Sequence, residues 1–255
     1  MPATITIIAM LTAAAASGLL GSFALMRRMT LAADSLSPVA LPGIGIAVLL
    51  NVSPIIGGFA ALIIGALIIW SLEQKTRIAT EALIGVIFSA ALALGILIAT
   101  PEELLDLLFG NYHTLTALES IIGLGISILI IGALLFLKDR LTLSILSPSL
   151  AKTMGINNSA LNLIFLILFA ADIMLGLKFL GVLLMGSLII IPAAAAKNFA
   201  KNLPTDVLAS AIIAVLSTAL GLLIAVTRAL ELGPVVVTVA AGLFFFSFLF
   251  LKPAR

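Results

Sequence analysis

Long apolar stretches alternate with short polar ones along the whole chain. A helix needs about 20 apolar residues to cross the hydrocarbon core of a bilayer. The windows that approach or meet this length are 4–25, 38–52, 55–72, 80–99, 115–137, 158–177, 179–196, 205–227 and 233–251. The second is short and broken by prolines, and the seventh contains Pro192. Between them lie charged clusters such as "MRRM", "EQKTR", "PEELLDLLFGNYH", "KDR" and "KNFAKN". The pattern predicts an all-α polytopic membrane protein of about eight to nine transmembrane helices. The first run, Ile5 to Leu25, has no Lys or Arg before it and leads directly into Arg27 and Arg28, so it reads as a span rather than a signal peptide.

Composition agrees with the pattern. Hydrophobic residues make up 63% of the 255, charged residues 9%, and the mean hydropathy is +1.36. A soluble domain carries about 25% charged residues, so this chain cannot clothe itself in a hydrated surface. Zero cysteines exclude disulfides, thiolate metal sites and cysteine nucleophiles. A formal charge of +2 gives no reason to expect nucleic acid as a partner. The placement of the positive charge is informative, because cytoplasmic loops of membrane proteins collect Lys and Arg. With the N-terminus outside, Arg27, Arg28, Lys75, Arg77, Lys138, Arg140, Lys152, Lys197, Lys201, Lys252 and Arg255 fall inside, and only Lys178 and Arg228 of the 13 basic residues fall outside. The reading is N-out and C-in. It places Glu102, Glu103 and Asp106 in an outer loop, where they keep the loop soluble and make the entrance negative, together with the sole histidine, His113.

Ionisable residues within spans are costly and therefore functional candidates. Asp34, in "MTLAADSLSPVALPGIG", stands beside Pro38 and Pro42. If residues 34–42 are helical, the two prolines remove the N–H partners of the Asp34 and Pro38 carbonyls, and the carboxylate sits near backbone oxygens and the Ser35 or Ser37 hydroxyl. The other geometry makes Ser37 a helix cap and Pro38 the first helical residue. Asp172 lies within the sixth window and reads as a structural partner or dimer contact rather than a ligand; Lys178 is a possible partner at poor helical spacing. Glu81 opens the fourth window, where an acid stabilises a helix N-terminus. Pro192 frees the Leu188 carbonyl, which makes a kink or hinge. The polar stretch 141–159 is long for a turn: Ser147-Pro148 is a helix start and Gly155 a helix stop. It reads either as a capped surface loop or as a docking helix for a cytoplasmic partner.

Six stretches together resemble one family. They are "GLLGSFALMRRMTLAADSLSPVALPG", "TRIATEALIGVIFSAALALGILI", "LLFGN", "LSPSLAKTMGI", "KFLGVLLMGSLIIIPAAAAKNFAKN" and "ELGPVVVTVAAGLFF". In this order they resemble the membrane permease subunits of ABC importers for zinc, manganese or iron, most closely the zinc-type permeases. The resemblance implies one permease domain over 1–255 in a multi-pass prokaryotic cell membrane, paired with a second permease copy as a homo- or heterodimer whose interface is the ion path. It also implies two ATP-binding subunits below and an extracytoplasmic metal-binding protein above. The helix at 147–155, with Ser149, Ala151, Lys152 and Gly155, is then the coupling helix, and Asp34 the metal-contacting residue, with Ser37 as a weaker candidate. The family pattern pairs that Asp with a His four residues on, where this chain has Pro38. No glycine-rich phosphate loop ending in Lys and Ser/Thr occurs, so ATP is used only through partners and the chain is not itself an enzyme. No cofactor is implied beyond the transported ion. A stand-alone secondary carrier or channel for a small cation is the alternative; it would be favoured by inverted repeats or rows of intramembrane charges, and neither is evident.

Overall fold

The computed structural model describes residues 4–29, 32–76, 78–98, 116–180 and 182–250. The ordered elements are helices: α1 Thr4–Met26, α2 Ala32–Leu36, a 3-10 turn Ser37–Ala40, α3 Leu41–Leu49, α4 Pro54–Lys75 and α5 Thr80–Ile98. They continue with α6 Ala117–Leu146, α7 Pro148–Thr153, α8 Asn158–Leu180, α9 Val182–Lys197, α10 Leu203–Arg228, α11 Leu232–Ser247 and a final 3-10 turn Phe248–Phe250. Among the described residues, six helices are long and apolar enough to cross a membrane: α1, α4, α5, α6, α8 and α10. Three shorter apolar segments, 34–49, 185–197 and 232–247, overlap the windows 38–52, 179–196 and 233–251. The acidic loop with Glu102, Glu103, Asp106 and His113, the "LLFGN" stretch and Arg77 lie outside the described residues.

α1 runs through the middle of the bundle, packed by α6, α9 and α10, with α11 against α9 and α10. On the other side α3, α4 and α5 form a group joined to the rest through α4 and α8. In lipid, apolarity does not separate one helix face from another, so helices associate where small residues let backbones approach. Gly21 of α1 faces the Ile189 carbonyl of α9, and a Cβ there would lie 1.9 Å from that oxygen. Gly43 of α3 and Gly57 of α4 meet reciprocally, each leaving its missing Cβ 2.1 Å from the other's carbonyl oxygen. The opposite surfaces are apolar and open: Leu97 is 81% exposed and Phe136 78%. They are the faces that lipid or another protein chain covers.

Two details depart from the sequence pattern. The "KDR" cluster does not end a helix: α6 continues through Lys138, Asp139 and Arg140 to Leu146. At 1.5 Å per residue its 30 residues span about 45 Å, against about 30 Å of hydrocarbon, so its last turns stand clear of the membrane with charged residues on them. The 34–42 segment is neither one regular helix nor a simple Ser37 cap. A single helical turn carrying Asp34 tightens into the 3-10 turn, whose residues remain in right-handed helical geometry through Leu41.

The reciprocal glycine contact yields a stability test. Gly57→Val places atoms inside the Gly43 backbone and should lower stability in detergent by about 1–3 kcal/mol, the usual range for overpacking. Gly85→Ala, where nothing lies within 4 Å of the new Cβ, should leave the melting temperature unchanged. Equal melting of the two variants would show that the α3–α4 approach is not close.

Candidate functional site

Asp34 sits on the single-turn helix α2, which packs against α5, α8 and α9. Its carboxylate rests on the backbone of Gly186, one turn into α9: a Cβ on Gly186 would lie 1.8 Å from Asp34 Oδ1 and 2.7 Å from its backbone nitrogen. Any side chain at 186 would therefore occupy the space that the carboxylate fills. The residue is nonetheless exposed on its other flank. The geometry is a carboxylate seated on one helix and open on one side.

The neighbouring groups are arranged differently from the expected oxygen cluster. Ser37 is fully buried, so it does not share the open surface of Asp34. The Pro38 carbonyl, expected to be freed by Pro42, accepts the Leu41 N–H instead, because the 3-10 turn shifts the bond to the residue three positions on. Arg27 is not the counter-ion of Asp34 either. Its guanidinium donates to Asn162 and stands 4.5 Å from the centre of the Phe165 ring. Burial pulls this group down to about 10, opposed by the Glu73 carboxylate, so it stays cationic at neutral pH. Among the described residues, no group of three His, Cys, Asp or Glu side chains gathers as a metal site.

Asp172 is fully buried in α8, beside Ser17 of α1, whose hydroxyl donates to the Ala13 carbonyl at 3.0 Å. It stands within the helix packing and opens onto no surface. The side chain of Lys178, its suggested partner, lies outside the described set. Glu81 occupies the first turn of α5. Pro192 is inside α9, six residues beyond Gly186. Past Pro192 the helix end is tied down: Lys197 Nζ is 2.8 Å from the buried Asp206 Oδ2, and Asn198 Nδ2 donates to Ser247 Oγ at 2.6 Å. Pro192 thus separates an anchored end of α9 from the end that carries Gly186.

The polar stretch 141–159 contains the short helix α7, with Ser147 before it and Pro148 at its start. Gly155 ends it at φ +76°, and the Gly155 and Ile156 N–H groups return to the Lys152 and Ala151 carbonyls. Ser149, Lys152 and Gly155 are exposed. Ala151 is fully buried, so it belongs to the seat of the helix rather than to its outer face. Leu150, at 50% exposure, and Met154, at 66%, supply apolar surface beside Lys152.

Two groups of site residues escaped the sequence reading. Gly186 was one glycine in an apolar run, and only its contact with Asp34 marks it. Asn158 and Asn162 form an i, i+4 polar pair at the start of a span, a signal in the sequence that places both on one helix face.

Residues 3–251 match the model of the ABC 3 transport family. The chain is 33% identical over 234 residues to the high-affinity zinc uptake system membrane protein ZnuB of Haemophilus influenzae, covering 89% of each. It is 29% identical to the manganese import system permease protein ScaB of Streptococcus gordonii, covering 94% of this chain and 87% of the relative. Among solved structures, PsaBC from Streptococcus pneumoniae, determined with a Fab, superposes with a TM-score of 0.83 at 26% identity, over 95% of this chain and 89% of that one. With a family match over nearly its full length and the apolar helices of a multi-pass membrane protein, the chain belongs to the ABC 3 transport family.

Proposed function

We propose that this chain is the permease subunit of an ATP-driven importer for a divalent transition metal, and that Asp34 contacts the ion in transit. The observation that carries the reading is the Asp34 carboxylate seated on Gly186 with one flank open, on a chain whose relatives are named as zinc and manganese permeases. A second permease copy covers the open flank, and the path runs between the two. ATP is hydrolysed by separate subunits that dock on α7, through Leu150, Lys152 and Met154. An extracytoplasmic metal-binding protein delivers the ion. The position four residues after Asp34 is Pro38, so the contact offers a carboxylate and no imidazole. Zinc favours nitrogen and sulfur ligands, whereas carboxylate and carbonyl oxygens suit manganese and iron(II). The preferred cargo is manganese or iron(II).

The chain crosses the membrane eight or nine times with its N-terminus outside. The side rests on the placement of Lys and Arg, and two observations support the alternation of the crossings. The contacts bring the ends of α1 and α4 together with the starts of α5 and α8, as alternating crossings require, and Thr6 meets Ser120 at 3.0 Å at the opposite end. A cysteine at Asn51, exposed in the α3–α4 turn, should react with an impermeant thiol reagent on intact cells, and one at Lys152 only after lysis. Reversed labelling overturns the orientation.

The test of the site is uptake by the permease reconstituted with its ATP-binding and metal-binding partners. Asp34→Asn and Gly186→Val should each cut uptake at least about tenfold, equivalent to ~1.4 kcal/mol, with the complex still assembled. In the unaltered complex manganese or iron(II) should move faster than zinc. Normal uptake by Asp34→Asn removes this residue from the path, and faster zinc transport refutes the oxygen-based preference.

A further inference from the structure

In a chain that is 63% hydrophobic, one set of inter-helix hydrogen bonds converges on the first turn of α8. The Asn162 amide works in both directions: its oxygen accepts from Arg27 Nη1 just past α1, and its nitrogen donates to Glu73 Oε2 in the last turn of α4. The other Glu73 oxygen accepts from Thr80 Oγ1, at the start of α5, at 2.7 Å. One turn earlier, Trp70 Nε1 of α4 donates to the Ser159 carbonyl at 2.9 Å. On the facing side Asn158 Nδ2 donates to the Pro148 carbonyl at 3.0 Å, and Pro148 is the first residue of α7. A cavity of about 360 Å³ opens between Arg28, Glu73, Thr80, Pro148, Asn158 and Asn162. The start of α8 is therefore bonded to the docking helix on one side and to α1 and α4 on the other, with α5 reached through Glu73.

The connection continues toward Asp34. The Arg28 and Met29 N–H groups return to the Leu25 and Ala24 carbonyls, and Arg28 takes φ +58°. This is the two-bond stop in which a left-handed residue reverses the chain. A non-glycine residue there is disfavoured by about 1–2 kcal/mol. The buried Met29 behind it, 4% exposed, holds the turn in place. The direction of the chain from Arg27 to Met29 is thus set by where Arg27 stands, and Asp34 is seven residues beyond Arg27 in sequence.

We infer that Asn158 and Asn162 are positioning residues of the transport cycle. They form a joint that carries movement of α7, driven by the ATP-binding subunit, to the end of α1 and so to the segment bearing Asp34. The inference rests on the permease reading and deepens it by naming the internal connection. An apolar contact permits sliding, because dispersion has little directionality, whereas an amide bonded on both sides fixes distance and orientation. Such a joint makes the ratio of metal moved to ATP hydrolysed, rather than either rate alone, its signature.

The test uses the reconstituted complex and measures metal imported per ATP hydrolysed. Asn158→Ala removes one bond at the edge of the bundle and leaves the interior packing untouched. It should lower that ratio about fivefold or more, the lower part of the usual range of coupling between sites, while ATP hydrolysis continues. Asn162→Leu should lower it at least as far, and Ser89→Ala, whose hydroxyl donates to the Gly85 carbonyl of its own helix, should not change it. An unchanged ratio in Asn158→Ala overturns the joint even if Asn162→Leu fails to assemble. Uptake and hydrolysis that fall in parallel in both variants also overturn it, since that is the signature of lost protein rather than lost coupling. An unaltered complex that moves no metal removes the permease reading and this one with it.

Discussion

Lipid tails are as apolar as leucine, so hydrophobicity cannot tell these helices which faces to bury, and close backbone approach at small residues has to do it. The same constraint gives the bundle one way to seat a charge close beside a helix. Where a side chain is missing, a partner group moves in: the Ile189 carbonyl against Gly21, the two carbonyls between Gly43 and Gly57, and the Asp34 carboxylate against Gly186. The third contact uses the same geometry for a different end. It holds an acid at a fixed place in an apolar setting while leaving one flank open. An ionised group is costly in such surroundings unless something compensates it, and a cation in passage is the compensation that the proposed function supplies.

Polar groups elsewhere divide by role. At the end of the bundle bearing Arg27, side-chain hydrogen bonds tie α1, α4, α5, α7 and α8 together. Around α9 a second set, Lys197 with Asp206 and Asn198 with Ser247, anchors one end of the helix, and Pro192 lies between this anchor and Gly186. Asp34 is therefore touched by a helix that is fixed at one end and carries a proline between that end and the contact, and it follows in sequence from a turn that is bonded to α8, which is in turn bonded to α7. In the proposed cycle, both arrangements let a displacement of α7 change how the carboxylate sits on Gly186 without unfolding the bundle.

Much of this was legible from residues alone. Apolar run length pointed to the six helices long enough to cross a membrane and to the three shorter apolar segments among the described residues, since length against bilayer thickness is a strong constraint. Ser147-Pro148 and Gly155 marked both ends of α7 because caps are local chemistry. What was not legible depended on which face of an apolar helix turns inward, and that leaves no trace in a sequence without amphipathic alternation. Thus Ala151, expected on the docking surface, is buried; Ser37, expected beside Asp34, faces the interior; and the Pro38 carbonyl is engaged by Leu41 through a tightened turn. The "KDR" charges were read as a break, yet a helix that leaves the membrane has no reason to stop at a charge. Gly186 could be recognised only from its partner, because a glycine's meaning lies in what approaches it.

In the proposed function the Asp34 carboxylate is where the ion is held. The most direct measurement is the anomalous scattering of manganese in crystals of the permease assembled with its partners and loaded with that metal. A peak is expected at bonding distance from the Asp34 carboxylate, beside Gly186, and should disappear in Asp34→Asn. A peak elsewhere in the path, unchanged by that substitution, would contradict it.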